Sequence, residues 1–151
     1  MLSHLQKTGK KSIFFENKKT RVANETFTIV KNAAIYALET LGVGHSERTY
    51  ESVIQNYLYD RRVPTKRQAR YFTTVDSNII ETGILDIEIN HSVLLELKVG
   101  CDVISKDHKI QIQRYLRCAK QNKPGMDLVA AVFLFTRQGQ LRIYKITYIS
   151  K

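Results

Sequence analysis

The sequence predicts a mixed α/β (α+β) fold in which a central mixed β-sheet is flanked by helices. Two segments with helical periodicity occupy positions 24–60, and three runs rich in β-branched and aromatic residues follow them. A further helical segment then precedes two more strands near the end of the sequence. The predicted element order is therefore ααβββαββ.

Caps and apolar stripes set the bounds of the three helices. Asn24 or Thr26 caps the first helix, and Gly42 follows its end. Ser46 caps the second helix, whose inward stripe starts with Glu47, a charged residue at a position that is usually apolar. The full stripe is Glu47, Tyr50, Ile54, Tyr57 and Leu58. The expected helices run from 24 or 26 to 41, from 47 to 60, and from 105 or 107 to 121.

Alternating side chains and turn residues mark five strands, expected at 67–75, 79–89, 93–99, 128–135 and 141–149. The fourth strand, LVAAVFLF, is apolar throughout, which is typical of a central strand buried on both faces. In the second strand, we expect Leu85, Ile87 and Ile89 on one face and Asp86 and Glu88 on the other.

Length, charge and cysteine content narrow the class of protein. At 151 residues the sequence favours one domain, expected at 24–151, preceded by a flexible basic arm at 1–23. The net charge of +10 and the pI of 9.7 favour a polyanionic partner, although a solubilising charge excess gives the same composition. Two cysteines without metal-binding spacing, and no apolar run of membrane length, predict an intracellular protein with no membrane association.

The stretch SVLLELKVG, at 92–100, places two charges in an otherwise apolar strand. Glu96 and Lys98 are separated by one residue, so both side chains point to the same face. Buried charges are costly unless they are paired or bound to a metal, so the pattern indicates a functional site. The alternative is the solvated face of an edge strand.

The length of the preceding loop decides which residue Glu96 meets. A three-residue loop at 90–92 brings Asp86 opposite Glu96 in an antiparallel hairpin. A two-residue loop pairs Asp86 with Leu95 and turns Glu96 to the other face. Opposed carboxylates repel each other, so the first register is typical of a site that holds a cation.

A third carboxylate joins this pair if the second helix directs Glu47 inward. Hard oxygen ligands for Mg²⁺ or Mn²⁺ then come from Asp86, Glu96 and Glu47, and from the backbone carbonyl of Leu97. Lys98 can hold or deprotonate an attacking water and offset charge on a pentacovalent phosphate. These residues predict metal-assisted phosphodiester hydrolysis. The alternative for Glu47 is an acid favoured by the dipole of its own helix.

Three motifs, in this order along the chain, resemble those of one nuclease superfamily. Asp86, nine further residues and then Glu96-Leu97-Lys98 are similar to the PD-(D/E)XK motif. The earlier GHSERTY, at 44–50, matches the GxxExxY signature of a small subfamily, and QIQRY, at 111–115, resembles the QxxxY element of the RecB-like branch. The resemblance covers about residues 25–135 and implies a restriction-endonuclease-like core.

The resemblance also implies roles for single residues. Asp86 and Glu96 would bind metal, Lys98 would serve the water, and Glu47 would be an additional ligand. One helical turn apart, Gln111 and Tyr115 would orient the site or contact substrate phosphate. The sequence departs from the pattern at Leu85, where the motif has proline, and at Gly83, where a basic residue is expected two or three positions before the aspartate.

Basic residues cluster after the second helix and along the third, where they would contact phosphates without reading sequence. The expected nucleic-acid contacts are Arg61, Arg62, Lys66, Arg67, Arg70, Arg114 and Arg117. The sequence therefore predicts a Mg²⁺- or Mn²⁺-dependent nuclease that acts on nucleic acid, with DNA as the expected substrate. The alternatives are a catalytically silent binding or scaffold module and a subunit of a larger DNA-processing complex. A homodimer is a further expectation.

Overall fold

The computed structural model of the protein describes residues 18–150, so most of the expected basic arm lies outside the described residues. Within these described residues, three helices and five strands follow the predicted order ααβββαββ. Their bounds are α1 Lys18–Leu41, α2 Glu47–Asp60, β1 Thr65–Val75, β2 Asn78–Ile89, β3 Val93–Val99, α3 Lys106–Asn122, β4 Leu128–Phe135 and β5 Leu141–Tyr148.

The five strands form one mixed sheet in the order β1-β2-β3-β4-β5. All neighbours are antiparallel except β3 and β4, which are parallel and joined by the α3 crossover. Helices α1 and α2 cover one face of the sheet, and α3 covers the other. The predicted fold class is therefore confirmed, and the apolar β4 is buried along its whole length, as expected of a strand covered on both faces.

The first helix starts earlier than the expected Asn24 or Thr26. Its apolar stripe continues through Ala23, which is only 1% exposed, and neither glycine nor proline interrupts residues 18–24. Gly42, with a positive φ of 74°, ends the helix and donates its N–H to the carbonyl of Leu38. Within residues 18–150, no helix is both long and apolar enough to cross a membrane.

The β2–β3 hairpin has the three-residue loop that the site requires. Ile89 pairs with Val93 and Ile87 with Leu95, which is the register expected from a loop at 90–92. Asn90 and His91 hold that loop with positive φ values of 50° and 56°. Continuing this register by one residue places Asp86 opposite Glu96.

The expectation that Leu85, Ile87 and Ile89 share one face is wrong. Leu85 packs in the α3 layer, whereas Ile87 and Ile89 pack in the α1/α2 layer. In the neighbouring strand β1, Gln68 lies opposite Asp86 and has a positive φ of 51°. Gln68 and Asp86 are not paired, although the residues on either side of them are. Side chains therefore change layer here, and Asp86 lies at the break.

Candidate active site

At the end of the β2–β3 pairing, the carboxylates of Asp86 and Glu96 accept main-chain hydrogen bonds in place of backbone carbonyls. The Asp86 N–H donates to Glu96 Oε1 at 3.0 Å, and the Leu97 N–H donates to Asp86 Oδ2 at 2.8 Å. The two acidic side chains are therefore fixed against each other's strands by reciprocal hydrogen bonds. Each also keeps one further oxygen, Asp86 Oδ1 and Glu96 Oε2, outside this pair of bonds.

Both carboxyls are shifted toward their protonated forms. Burial, and then the adjacent charge of Asp86, raise the pKa of Glu96 to about 8. Burial also raises the pKa of Asp86 to about 6, and the negative charges of Glu51 and Glu47 act in the same direction. Two like charges in a desolvated site are unfavourable together, so the site favours binding a proton or a cation.

Lys98 is the cation beside this pair. Its Nζ lies 3.5 Å from Glu96 Oε2, and its side chain is 20% exposed, compared with 3% for that of Glu96. The positive charge of Lys98 opposes the upward pKa shifts of both Asp86 and Glu96. The ammonium group therefore reaches from the buried carboxylates toward solvent.

Glu47 approaches the pair but does not complete a three-carboxylate cluster. It is half-buried in the first turn of α2, and its charge acts on both Asp86 and His108. Across residues 18–150, no group of three or more His, Cys, Asp or Glu side chains is placed so that it could hold a metal. The expected convergence of Glu47 with Asp86 and Glu96 is therefore absent from this conformation, and Glu47 contributes negative charge at longer range.

Glu51 is a buried acid of this region that the sequence analysis missed. One turn after Glu47, its side chain is 4% exposed and accepts a hydrogen bond from Arg67 Nε at 2.6 Å. Arg67 also donates from Nη1 to Gln55 at 3.1 Å. The i, i+4 spacing from Glu47 could have identified Glu51 as a residue of the same helix face.

Tyr115 positions the strand that carries Asp86. Its hydroxyl donates to the carbonyl of Ile84 at 2.7 Å, and its ring is 2% exposed. Gly83 lies directly beneath this ring, because a Cβ added there would be 2.8 Å from the Tyr115 hydroxyl oxygen. The glycine that departs from the family pattern is therefore the steric partner of this tyrosine. Gln111 lies one turn earlier on α3 and is half-buried.

The N-termini of α2 and α3 both lie near the carboxyl end of β3. Ser105 caps α3 through a capping box in which its N–H donates to His108 Nδ1 and its hydroxyl accepts the His108 N–H. Slight burial and the nearby Lys98 charge lower the pKa of His108, and Glu47 opposes this shift. The charges of Lys98, Asp107 and Glu47 therefore all act on His108.

Tyr50 is a core residue that anchors the start of α2. Its hydroxyl donates to the carbonyl of Gly42 at 2.6 Å, and its ring stacks on Phe135 with centroids 4.2 Å apart. The tyrosine of GHSERTY thus holds the loop that precedes Glu47.

Of the residues expected to contact nucleic acid, one is bonded within the fold and the others are exposed. Arg67 is committed to Glu51 and Gln55, so the expectation that it contacts phosphate conflicts with its bonding. The guanidinium of Arg61 covers the ring of Tyr57 at 3.3 Å. The exposed members of the set are Arg61, Arg62, Lys66, Arg70, Arg114 and Arg117.

Comparison with known proteins gives a family for this geometry. The family model for the PD-(D/E)XK nuclease superfamily matches residues 24–128, more than half of the chain. No curated protein matches the chain. One solved structure, "Crystal structure of SSO0001", is similar to this chain with 16% sequence identity and a TM-score of 0.43. The match covers 82% of this chain and 79% of the chain in that structure.

The chain belongs to the PD-(D/E)XK nuclease superfamily. The mixed sheet with flanking helices agrees with the restriction-endonuclease-like core of that superfamily. Its members are in general nucleases that act on nucleic acid and typically use Mg²⁺ or Mn²⁺.

Proposed function

We propose that this protein hydrolyses phosphodiester bonds in DNA at the site formed by Asp86, Glu96 and Lys98. The observation that carries the proposal is the buried carboxylate pair, locked by reciprocal main-chain bonds and flanked by a lysine 3.5 Å away. A pair of desolvated like charges is retained in a fold mainly where a reaction uses it.

The residues present fit a divalent cation. Asp86 and Glu96 would hold it, with the Leu97 carbonyl as a further oxygen donor, because Mg²⁺ is usually bound by one or two carboxylates, with substrate phosphate and water supplying other ligands. Bound there, Mg²⁺ or Mn²⁺ would lower the pKa of a water and polarise the phosphoryl oxygens. Glu47 is not in the proposed ligand set.

The chain's own residues would position the reaction. Lys98 would donate to the attacking water and offset negative charge that develops on the phosphate. Tyr115 would act as a positioning residue through its bond to the Ile84 carbonyl, which is close in sequence to Asp86. Gln111, on the same helix, would contact substrate phosphate.

Exposed basic side chains would bind the substrate backbone. Arg114 and Arg117 lie on α3, the helix whose first turn reaches the site, and Arg62, Lys66 and Arg70 lie at the α2–β1 end and on β1. Such contacts give affinity without sequence preference.

Within the superfamily, we infer a closer relation to the GxxExxY proteins of the RecB-like branch. The bonding of Tyr50 to the Gly42 carbonyl and of Tyr115 to the Ile84 carbonyl supports this relation, because each motif tyrosine braces one side of the candidate site. The functional unit would be a homodimer or part of a larger DNA-processing complex, since the Asp86–Glu96 pair would serve one strand of a duplex at a time.

Cleavage assays with matched variants test the proposal. Plasmid and linear DNA would be incubated with Mg²⁺, Mn²⁺ or EDTA, using the wild type, Glu96→Gln, Lys98→Ala and, as a control, Glu81→Gln. We expect cleavage with metal, loss of cleavage in the first two variants, and no change in Glu81→Gln, whose carboxylate forms an exposed pair with Arg70.

One observation favours the second candidate function, a nucleic-acid-binding module without turnover. Only two carboxylates come together among the described residues, and the nearby Glu51 is neutralised by Arg67. DNA binding that persists without cleavage under any metal would support this module and contradict the nuclease.

A further inference from the structure

A concave region lies on the sheet face that carries Glu96 and Lys98. It is a cavity of about 380 Å³ between the loop that follows β3, the first turns of α3, and the start of β5. Its volume is near the lower limit of ligand pockets, roughly 300–1,000 Å³, which suits one nucleotide better than a larger ligand. None of its lining residues belongs to the carboxylate site.

The strand register aligns this cavity with the catalytic residues. Across the sheet, Glu96 pairs with Val132 and Val132 with Tyr144, so Glu96 and Tyr144 lie in one row. In the next row, Lys98 pairs with Leu134, which pairs with Arg142. Residues paired across neighbouring strands point to the same face.

The distance between the two sites follows from this alignment. Tyr144 and Arg142 lie two strand spacings from Glu96 and Lys98, which is about 10 Å. That distance corresponds to about three nucleotides at the ~3.4 Å rise of a stacked strand, and to fewer in an extended one. Val132 and Leu134 are fully buried between the two sites, so a strand with its phosphate at Lys98 would reach the cavity over the first turn of α3, and about 10 Å is the shortest separation.

The chemistry of the cavity suits both parts of a nucleotide. Two cations, Lys109 and Arg142, line it together with one carboxylate, that of Asp102, whose Oδ1 accepts the Arg137 N–H at 3.0 Å. Within residues 18–150, neither cation is within ion-pair distance of a carboxylate. The ring of Tyr144 is held by a hydrogen bond from Gln113 to its hydroxyl at 3.1 Å, with Lys109 Nζ 5.1 Å from the ring centroid. Val103, at the rim, is 72% exposed and offers apolar surface for a base to cover.

We propose that this cavity binds one unpaired nucleotide of the substrate strand, with its phosphate at Lys109 and Arg142 and its base on Tyr144. The inference rests on the proposed nuclease function and deepens it by specifying single-stranded nucleic acid at this position. A base that is paired and stacked in a duplex cannot enter such a cavity, so the substrate strand must be unpaired, or become unpaired on binding, close to the cleavage point.

The chain contains a matched control for the experiment. Lys120 and Tyr148 lie on the same helix and the same strand, with Lys120 Nζ 4.5 Å from the Tyr148 ring centroid, but toward the opposite end of β5. Affinity for a fluorescein-labelled oligothymidine would be measured by anisotropy in EDTA, so that binding is independent of cleavage.

We expect Tyr144→Leu to weaken binding about tenfold, because a base stacked on an aromatic ring contributes an effect of this order. We expect Lys109→Ala to weaken binding severalfold and to reduce the salt slope by about 0.7, the value for one phosphate contact on a single strand. Tyr148→Leu and Lys120→Ala should bind as the wild type does. Circular dichroism and thermal melts would establish that each variant is folded, and Tyr144→Phe, which keeps the ring, should bind almost normally.

An abasic site separates a stacking contact from a structural role. When the abasic position is moved along the oligonucleotide, one position should make the wild type and Tyr144→Leu bind equally. Equal losses in Tyr144→Leu and Tyr148→Leu, or no abasic position with this effect, would overturn the proposal. If the wild type cleaves DNA while these binding differences are absent, the subsite alone fails. If binding differs as expected but no metal supports cleavage, the nuclease function fails.

Discussion

Two buried carboxylates face the same side of the β2–β3 hairpin, and they are partnered in opposite ways. Glu88 forms an ion pair with Lys123, so its charge is neutralised within the fold. Glu96, on the other strand, faces Asp86, a second acid, and its pKa is raised to about 8. The comparison teaches that burial alone does not distinguish the two acids, whereas burial against a like charge marks Glu96 as the candidate for function.

The largest expected effect is at Glu96. Glu96→Gln keeps an amide oxygen for the Asp86 N–H but removes the charge, so cleavage should fall by about 10³-fold, through the loss of several kcal/mol of transition-state stabilisation. The same change removes the repulsion that appears when Glu96 ionises, so the melting temperature of the metal-free protein should rise above about pH 8. Cleavage rates and thermal melts would be measured with Glu88→Gln as the control. A melting temperature that falls as much as in Glu88→Gln would show that the pair is not strained.

Glu88→Gln should have the opposite result, with cleavage retained and stability lost. It leaves the partly buried Lys123 ammonium without its carboxylate, which should lower the free energy of unfolding by about 1–3 kcal/mol. The double variant with Lys123→Met should recover part of that loss, because both members of the pair are then uncharged. Urea titrations would measure all three variants. Strictly additive losses would contradict a coupled pair.

Gly83→Ala tests the support beneath the carboxylate pair. The added Cβ would meet the Tyr115 ring and hydroxyl within 3 Å, so overpacking should cost about 1–3 kcal/mol. Cleavage should also fall, by about tenfold, because the clash displaces the strand that carries Asp86. Combining the change with Tyr115→Leu should give a loss of stability smaller than the sum of the two single losses. A Gly83→Ala variant with normal stability would contradict the close packing.

The stability of the metal-free protein should depend on pH through the raised pKa values of Asp86 and Glu96. A carboxyl whose folded pKa is raised contributes stability that is fully present below its unfolded pKa and lost as pH rises through its folded pKa. For Asp86 and Glu96, this window runs from about pH 4 to about pH 8, so the metal-free protein should melt several degrees lower at pH 8 than at pH 5. Glu96→Gln should show a smaller fall, and Mg²⁺ affinity should rise with pH, because the cation displaces a proton. Equal falls in wild type and variant would contradict the shift.

The smallest expected effect is at an exposed ion pair on the same sheet. Arg70 and Glu81 are 2.8 Å apart, with side chains 63% and 39% exposed, so Arg70→Ala should change the free energy of unfolding by about 0.5 kcal/mol or less. Arg67→Ala, on the same strand, leaves Glu51 buried and unpaired and should cost about 1–3 kcal/mol. Urea denaturation of both variants would test this ranking. Similar losses of unfolding free energy in Arg70→Ala and Arg67→Ala would contradict it.

Features set by local sequence could be predicted. The element order follows from periodicity and caps, and the Asp86–Glu96 register follows from a loop of three residues. The layer change at Leu85 could not be predicted, because it accompanies a positive φ at Gln68 that no glycine marks. Glu51 was missed because its role depends on Arg67, sixteen residues away in sequence.

Long-range pairing limits what sequence shows about the site. Tyr144 joins the Glu96 row only through β4, and its β4 partner Val132 is thirty-six residues from Glu96. No local pattern encodes that pairing. Helical phase gives the direction of the Glu47 side chain but not its distance from the sheet. The described residues do not bring Glu47 into a group of three ligands with Asp86 and Glu96, so its role as a metal ligand stays a prediction.

The reciprocal bonds between the acidic side chains and the main chain have a spectroscopic consequence. The amide protons of Asp86 and Leu97 each end on a carboxylate oxygen of the site, so their NMR chemical shifts and hydrogen-exchange rates report directly on the charge of those oxygens. Protonation or cation binding at the pair would weaken both bonds and move two assigned resonances together. The signals of these two amide protons would therefore report whether a proton or a cation occupies the site.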